Sequence, residues 1–159
     1  MKRSRAFRRP YPAKASTPRN NSNRIAIASF EGEAASLLEH AADPYERGAY
    51  PLALAGKELD WRPTIAALLA DLRRGISVAV ISARFHTSLV TALVAAVRLF
   101  DPPLVVLSGG CFQNRLLTER AASALEATGM RVLLPRLVPP NDGGLSLGQV
   151  AAVAAQLRG

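Results

Sequence analysis

Residues 104–148 read LVVLSGGCFQNRLLTERAASALEATGMRVLLPRLVPPNDGGLSLG, and this stretch decides how the rest of the chain is understood. Leu104 to Leu107 is a short apolar run with the length and β-branched content of a buried strand. It stops at Ser108-Gly109-Gly110, after which apolar residues recur at helical spacing. With no Cβ on Gly109 or Gly110, main-chain N–H groups can lie against a phosphate or ribose, and the unpaired amides and dipole of the following helix favour an anion there. Asn114, one turn into that helix, could reach back to the same ligand. A second glycine pair, Gly143-Gly144 behind Asn141-Asp142, precedes the last helix. Two glycine-marked helix starts so close together suggest one pocket; the competing reading is a tight strand-to-helix turn that packs on the sheet and binds nothing.

The chain has 159 residues, enough for one domain with a proper core, and 49% apolar residues with few aromatics fits an Ala/Leu/Val-rich soluble protein. Its apolar stretches are short or broken by Arg and Asp, so no membrane span is expected. The net charge of +8 looks like a nucleic-acid signature until it is mapped. Residues 1–24 hold Lys2, Arg3, Arg5, Arg8, Arg9, Lys14, Arg19 and Arg24 and no acid, which leaves twelve basic and twelve acidic residues over 25–159. This arm lacks apolar content and is expected to be disordered. A transit peptide or polyanion-binding tail is conceivable, but a solvated extension is preferred, and neither nucleic acid nor membrane is an expected partner. The single cysteine, Cys111, rules out an intrachain disulfide and fits a reducing cytoplasm.

Arg24 to Phe30 reads as a short strand entering Glu31-Gly32-Glu33, followed by a helix that Asp43-Pro44 stops. Tyr50 to Leu54 and Leu59 to Trp61 read as a β-hairpin with Trp61 as its core anchor. Pro63 suits the first turn of a helix carrying Ile65, Leu68, Leu69 and Leu72 and ending near Arg73-Arg74-Gly75. A longer helix spans about Val78 to Leu99, with Val78, Ile81, Phe85, Leu89, Ala92, Ala96 and Leu99 as its buried stripe. His86 beside that stripe is best read as packed or hydrogen-bonded. A helix over about Gln113 to Ala127, a strand from Arg131 to Leu134, and a last helix from Leu145 to Leu157 capped by Asp142 complete an α/β pattern whose strand-to-helix turns line a cleft.

SGGCFQNRLLTE followed by LLPRLVPPNDGGLSLGQ resembles the C-terminal end of the hydrogenase-maturation carbamoyltransferases of the HypF type and, more distantly, the Kae-like tRNA threonylcarbamoyl-transfer proteins. SFEGEAA at 29–35, YPLAL at 50–54, LDWRP at 59–63 and ISARFHTSLV at 81–90 resemble the same family in the same order, so the likeness covers about residues 25–158. It implies that residues 25–159 are the second half of an actin-like, sugar-kinase-like nucleotide-binding domain. Whole members take carbamoyl phosphate and ATP, make carbamoyl-adenylate, and pass the carbamoyl group to the C-terminal cysteine of a HypE-type partner on the way to the cyanide ligands of nickel-iron hydrogenase. Carried over, Gly109, Gly110 and Gly143 would contact nucleotide, and Asn114 would bond near its phosphate or ribose. Glu31 and Gly32 would face it, and Asp142 would ligate a divalent ion such as Fe, Zn or Mg. Against these stand bland readings: Glu31 and Glu33 as first-turn acids, and Asp142 as a helix cap.

The departures weigh as much. The family's other metal ligands are a histidine pair on one helix turn in the first half of the domain, whereas this chain has only His40 and His86, which do not fit that motif. Cysteine-rich zinc modules, an acylphosphatase-like segment and an adenylate-forming domain are also missing. The expectation is therefore a chain incomplete alone, of low turnover, that works with the first half of the transferase domain; the alternative is a non-catalytic nucleotide- or protein-binding remnant. A half-sheet would leave an exposed edge and apolar face. Cys111 with His86 as base would make a thiol transferase, but a buried small hydrophobe is the preferred reading.

Overall fold

The computed structural model describes residues 32–157. The basic arm, the strand expected at 24–30 and Glu31 lie outside the described residues.

Helix α1 (Glu33–Ala41) follows Gly32. The expected hairpin is present as β1 (Ala53–Ala55) and β2 (Glu58–Asp60), closer to the turn than predicted, antiparallel with Leu54 opposite Leu59. Helix α2 (Arg62–Arg73) has Pro63 in its first turn, where a missing N–H costs nothing. The long helix α3 (Val78–Arg98) is capped by the Ser77 hydroxyl, which accepts from the Val80 amide. Then β3 (Leu104–Val106), α4 (Arg115–Glu126) and β4 (Arg131–Leu133) form a βαβ unit whose strands pair in parallel, Val105 opposite Val132. Helix α5 (Leu145–Gln156) ends the described chain.

The core lies between α3, α4 and one face of β3–β4. Val90, Leu107, Ala121 and Leu125 are buried there, with Leu93, Val97, Phe112 and Val132 packed around them. Each fully buried leucine in such a cluster contributes about 1.5–3 kcal/mol through apolar transfer. At 21 residues, α3 is long and apolar enough to cross a membrane, contrary to the expectation from the sequence. Its inward side, however, carries Ser82, His86 and Ser88, all buried and all bonded to neighbouring segments.

The face of α2 is turned from where periodicity puts it, whereas the α3 stripe is buried at Ile81 and Ala92 as expected. In α2 the apolar residues Ile65, Leu69 and Leu72 are exposed, while Thr64 and Asp71 are buried. In α3 the ends of the expected stripe, Val78 and Leu99, are exposed as well. The reason is that hydrogen bonds dock these elements. Ser82 Oγ donates to the Leu38 carbonyl at 2.5 Å, Ser88 Oγ accepts from the Tyr50 amide at 2.7 Å, and Thr64 Oγ1 donates to the Pro51 carbonyl at 2.5 Å. Trp61 is 41% exposed beside α2, and the anchor of this region is Tyr50, at 7%.

The Tyr50 hydroxyl donates to Asp71 Oδ2 at 2.9 Å, Arg84 donates to the same oxygen at 2.8 Å, and Arg74 pairs with Oδ1. Burial and the adjacent carboxylate push the Tyr50 phenol up to about 12 from 10.0. The Tyr50 hydrogen bond, followed by those from Arg74 and Arg84, holds the Asp71 carboxyl below 3.8 against its burial. The unfolded phenol releases its proton first, so its stabilising share is whole below pH 10.0 and is lost as pH rises through about 12. The Asp71 share has the opposite sign: it is present above pH 3.8 and lost as pH falls through the lowered folded value. Tyr50→Phe should cost about 2 kcal/mol in denaturant unfolding. It should also remove the latest phenolate step from an ultraviolet titration of the folded chain; a variant as stable as wild type, with the late step intact, contradicts this network.

Candidate functional site at the double-glycine turn

Parallel pairing puts the C-terminal ends of β3 and β4 at the same end of the sheet, so the segments leaving them emerge together. The Leu107 amide still extends the ladder, donating to the Leu133 carbonyl at 3.0 Å. At Gly109 the backbone turns with φ +103° and ψ 163°, a region essentially reserved for glycine. Its amide donates to the Pro140 carbonyl at 2.5 Å, which ties the first glycine turn to the segment carrying the second. A 3₁₀ turn over Gly110–Gln113 follows, closed by Phe112 N–H to Gly109 O at 3.0 Å and Asn114 N–H to Cys111 O at 3.2 Å.

The two glycine pairs differ in what demands them. A Cβ on Gly144 would meet Val138 Cγ1 at 2.8 Å and the Pro139 carbonyl at 3.0 Å, so the fold itself requires that glycine. Gly110 has no left-handed φ, and a Cβ there would meet nothing within 4 Å. Nothing among the described residues requires a glycine at 110. A cleft of about 400 Å³ opens between the turns, lined by Leu107, Phe112 and Gln113 on one side and Leu134, Pro139 and Asn141 on the other. Gly109, Gly110, Gly143 and Asp142 stand in the same two turns but outside this lining.

Asn114 is not one turn into α4; it is the N-cap, because the helix starts at Arg115 rather than Gln113. Its Oδ1 accepts from the Leu117 amide at 2.8 Å, and its Nδ2 donates to His86 Nε2 at 2.9 Å. The next two amides are claimed from α1, where Glu39 Oε1 accepts from Arg115 N–H at 2.8 Å and Leu116 N–H at 3.4 Å. The start of α4 is therefore already supplied with a carboxylate. Capacity for an external anion lies one turn earlier, at the Gly110 and Cys111 amides, which find no backbone acceptor among the described residues. Sequence reading missed Glu39. Its signal was an acid in the last turn of a helix, against the dipole, which calls for compensation from elsewhere.

Gly32 opens α1 with φ 84° and its carbonyl accepts from Ser36; no hydrogen bond joins it to the double-glycine turn. Asp142 does not cap α5, as the sequence suggested: Asn141 Oδ1 caps this turn instead, accepting from the Gly143 amide at 3.1 Å. The Asp142 carboxylate is exposed and makes no bond with any described residue. Among the described residues no group of three His, Cys, Asp or Glu side chains could hold a metal ion. Asp142 could give one ligand where a catalytic site ordinarily takes three, so the residues present do not complete a metal site. His40 Nδ1 donates to the Ser36 carbonyl at 2.7 Å. Cys111 is exposed, not buried as expected, because the 3₁₀ turn carries it outward. His86 has both ring nitrogens engaged and is no base for that thiol.

This arrangement, a parallel βαβ unit with two glycine turns joined at the strand ends, defines an α/β ligand-cleft module. A family model described as "Carbamoyltransferase, Kae1-like Domain, second subdomain" (HypF_C_2) matches residues 22–149. The carbamoyltransferase HypF of Synechocystis is 39% identical over 129 residues, covering 78% of this chain and 17% of that protein. A HypF homolog of Cupriavidus necator is 35% identical over 144 residues, covering 87% of this chain and 36% of its own length. A crystal structure of full-length HypF in a phosphate- and nucleotide-bound form superposes with TM-score 0.73 at 33% identity, over 83% of this chain and 18% of that one. The T. kodakarensis HypF structure gives 0.66 at 25% identity, over 81% of this chain and 17% of that one. The chain belongs to the HypF carbamoyltransferase family and corresponds to the second subdomain of its Kae1-like domain. It spans 17% of the length of the Synechocystis relative.

The contrast between the glycines is testable. Gly109→Ala should destabilise the fold by about 1–3 kcal/mol, since alanine does not adopt that backbone. Gly110→Ala should leave stability unchanged or raise it by about 0.4–1 kcal/mol. Chemical denaturation distinguishes the two, and equal losses would mean that Gly110 is structural after all.

Proposed function

We propose that this chain provides one wall of the nucleotide cleft of an ATP-dependent carbamoyltransferase for hydrogenase maturation, as half of an actin-like, sugar-kinase-like domain. Carbamoyl phosphate and ATP give carbamoyl-adenylate, and the carbamoyl group passes to the C-terminal cysteine of a HypE-type acceptor in the cytoplasm. The observation that carries the reading is Gly110: a glycine that no internal contact requires, beside amides without acceptors, in a turn fastened to a second glycine turn. The solved relative described as phosphate- and nucleotide-bound, 33% identical, supports it.

In this reading the chain's own residues bind and orient. The Gly110 and Cys111 amides receive phosphate oxygens, and Gly143 is the candidate contact at the opposite turn, where a Cβ would meet Asn141 Oδ1 at 3.0 Å. Gly32 and Glu31 are the remaining candidates for nucleotide contact. Asp142 offers one carboxylate to a divalent ion whose other ligands come from a complementary body. That such a body exists is supported by α5, which has no buried residue and exposes Leu145, Leu147, Val150 and Val153, and by exposed Val106 and Leu133 on the strands. These faces fit the first subdomain of the same domain.

A second reading, a nucleotide-binding module without catalysis, is favoured by the incomplete metal site. Calorimetry with ATP and ADP tests what the two share: Gly110→Leu should weaken binding at least about tenfold. Adding a separately produced first subdomain from a HypF relative, with carbamoyl phosphate, ATP and acceptor, separates them. Carbamoylated acceptor that disappears with Asp142→Ala supports the transferase; binding without transfer supports the module; no binding contradicts both.

A further inference from the structure

His86 is 3% exposed, yet it fills no apolar role that leucine could not. Its Nδ1 lies 2.8 Å from the Ser82 carbonyl, which can only accept, so Nδ1 carries the proton. Its Nε2 then offers a lone pair, and Asn114 Nδ2 sits 2.9 Å away. The orientation of Asn114 is fixed independently from the other end: Oδ1 faces the Leu117 amide at 2.8 Å, which can only donate. A carbonyl at one end and an N–H at the other leave one consistent assignment for all four atoms between them. Turning the Asn114 amide over would set donor against donor at Leu117 and acceptor against acceptor at His86. The same residue closes the preceding turn, because its own N–H donates to the Cys111 carbonyl at 3.2 Å.

We propose that His86 is a positioning residue: as the Nδ1–H tautomer it fixes the Asn114 amide, and through Asn114 it fixes the Gly110–Gln113 turn against its ligand. The claim rests on the nucleotide reading above only for what the ligand is. Helix capping alone does not require this pair, since aspartate or serine would cap as well as asparagine. Asn114 Nδ2 is the added feature, and His86 is the acceptor buried to meet it. Ser82 Oγ, which donates to the Leu38 carbonyl at 2.5 Å, joins α1 to the same chain of bonds.

Two substitutions divide the histidine's bonds. His86→Asn keeps a donor near the Ser82 carbonyl and removes the acceptor for Asn114, whereas His86→Gln keeps an acceptor at the Nε2 position. In calorimetry with ATP on the full chain, His86→Asn should weaken binding about tenfold while His86→Gln stays within about twofold of wild type. Equal affinities for the two variants would overturn the proposal. Nitrogen NMR of the imidazole supplies a readout that does not need nucleotide: Nδ1 protonated and Nε2 bare is expected, and the reverse tautomer overturns it. In His86→Asn the Gly110 and Cys111 amide resonances should move without ligand, and unmoved resonances overturn it too. Should His86→Asn not fold, Asn114→Asp keeps the cap but presents Nε2 with an acceptor, so that nitrogen should become protonated; an unchanged spectrum is the contrary result. A wild-type chain that takes up no ATP removes the nucleotide reading, and the spectra then decide the role of His86.

Discussion

The hydrogen bond from the Gly109 amide to the Pro140 carbonyl makes one edge out of two loops that lie 31 positions apart in sequence. Its existence depends on features laid down earlier. Parallel pairing of β3 with β4 sends both exits to the same end of the sheet. The φ of +103° at Gly109 then turns the chain that follows out of the strand and into the Gly110–Gln113 turn. With a side chain at 109 this backbone would be strained. The cleft of about 400 Å³ lies beside that tie, with Phe112 and Pro139 among its lining residues.

The packing of α2 and α3 is organised by polar groups in the interior. Thr64, Asp71, Ser82, His86 and Ser88 are all buried, and no buried side-chain polar atom among the described residues lacks a partner. Buried hydrogen bonds of this kind add modest net stability, but a wrong register leaves them unmade at a cost of about 1–3 kcal/mol each. They specify which face of α2 and α3 is inside. They also free the apolar faces for the surface, where the isolated chain leaves Ile65, Leu69, Leu72 and most of α5 in water. Buried polar groups among α2 and α3 thus stand beside the apolar core of α3, α4 and the sheet, with further apolar residues left on the outside.

Element types were legible in the sequence because period and punctuation are local: the hairpin around Gly56, the start of α2 beside Pro63, the end of α4 before Gly129 and the strands on either side of α4 follow from residues within a few positions. The inward face of α2 was not legible, though that of α3 was at Ile81 and Ala92. Periodicity identifies a stripe on α2 but not whether the stripe turns inward, and the deciding contacts, Thr64 to Pro51 and Asp71 to Tyr50 and Arg84, are non-local. The double-glycine turn was visible from Gly109 and Gly110, and its link to the second turn was anticipated. Asn114 as cap, Glu39 as the carboxylate at the start of α4, and exposed Cys111 were not, since each depends on where α4 begins to within two residues. Asp142 does not cap α5 because a 3₁₀ turn over Asp142–Gly144, capped by Asn141, comes first and Gly144 opens the helix with no side-chain cap.

The central claim is that the joined turns, and not some other surface, receive the nucleotide. A second cleft of about 420 Å³, beside Tyr50, Asp71 and Arg84, offers a ready alternative. Amide chemical-shift mapping of the isotopically labelled chain during titration with ADP tests this most directly. The account predicts saturable shifts confined to residues 109–114 and 140–144, with Gly110 and Cys111 largest. Shifts centred instead on residues 48–51 and 71–84, or no shifts at millimolar ADP, would contradict it.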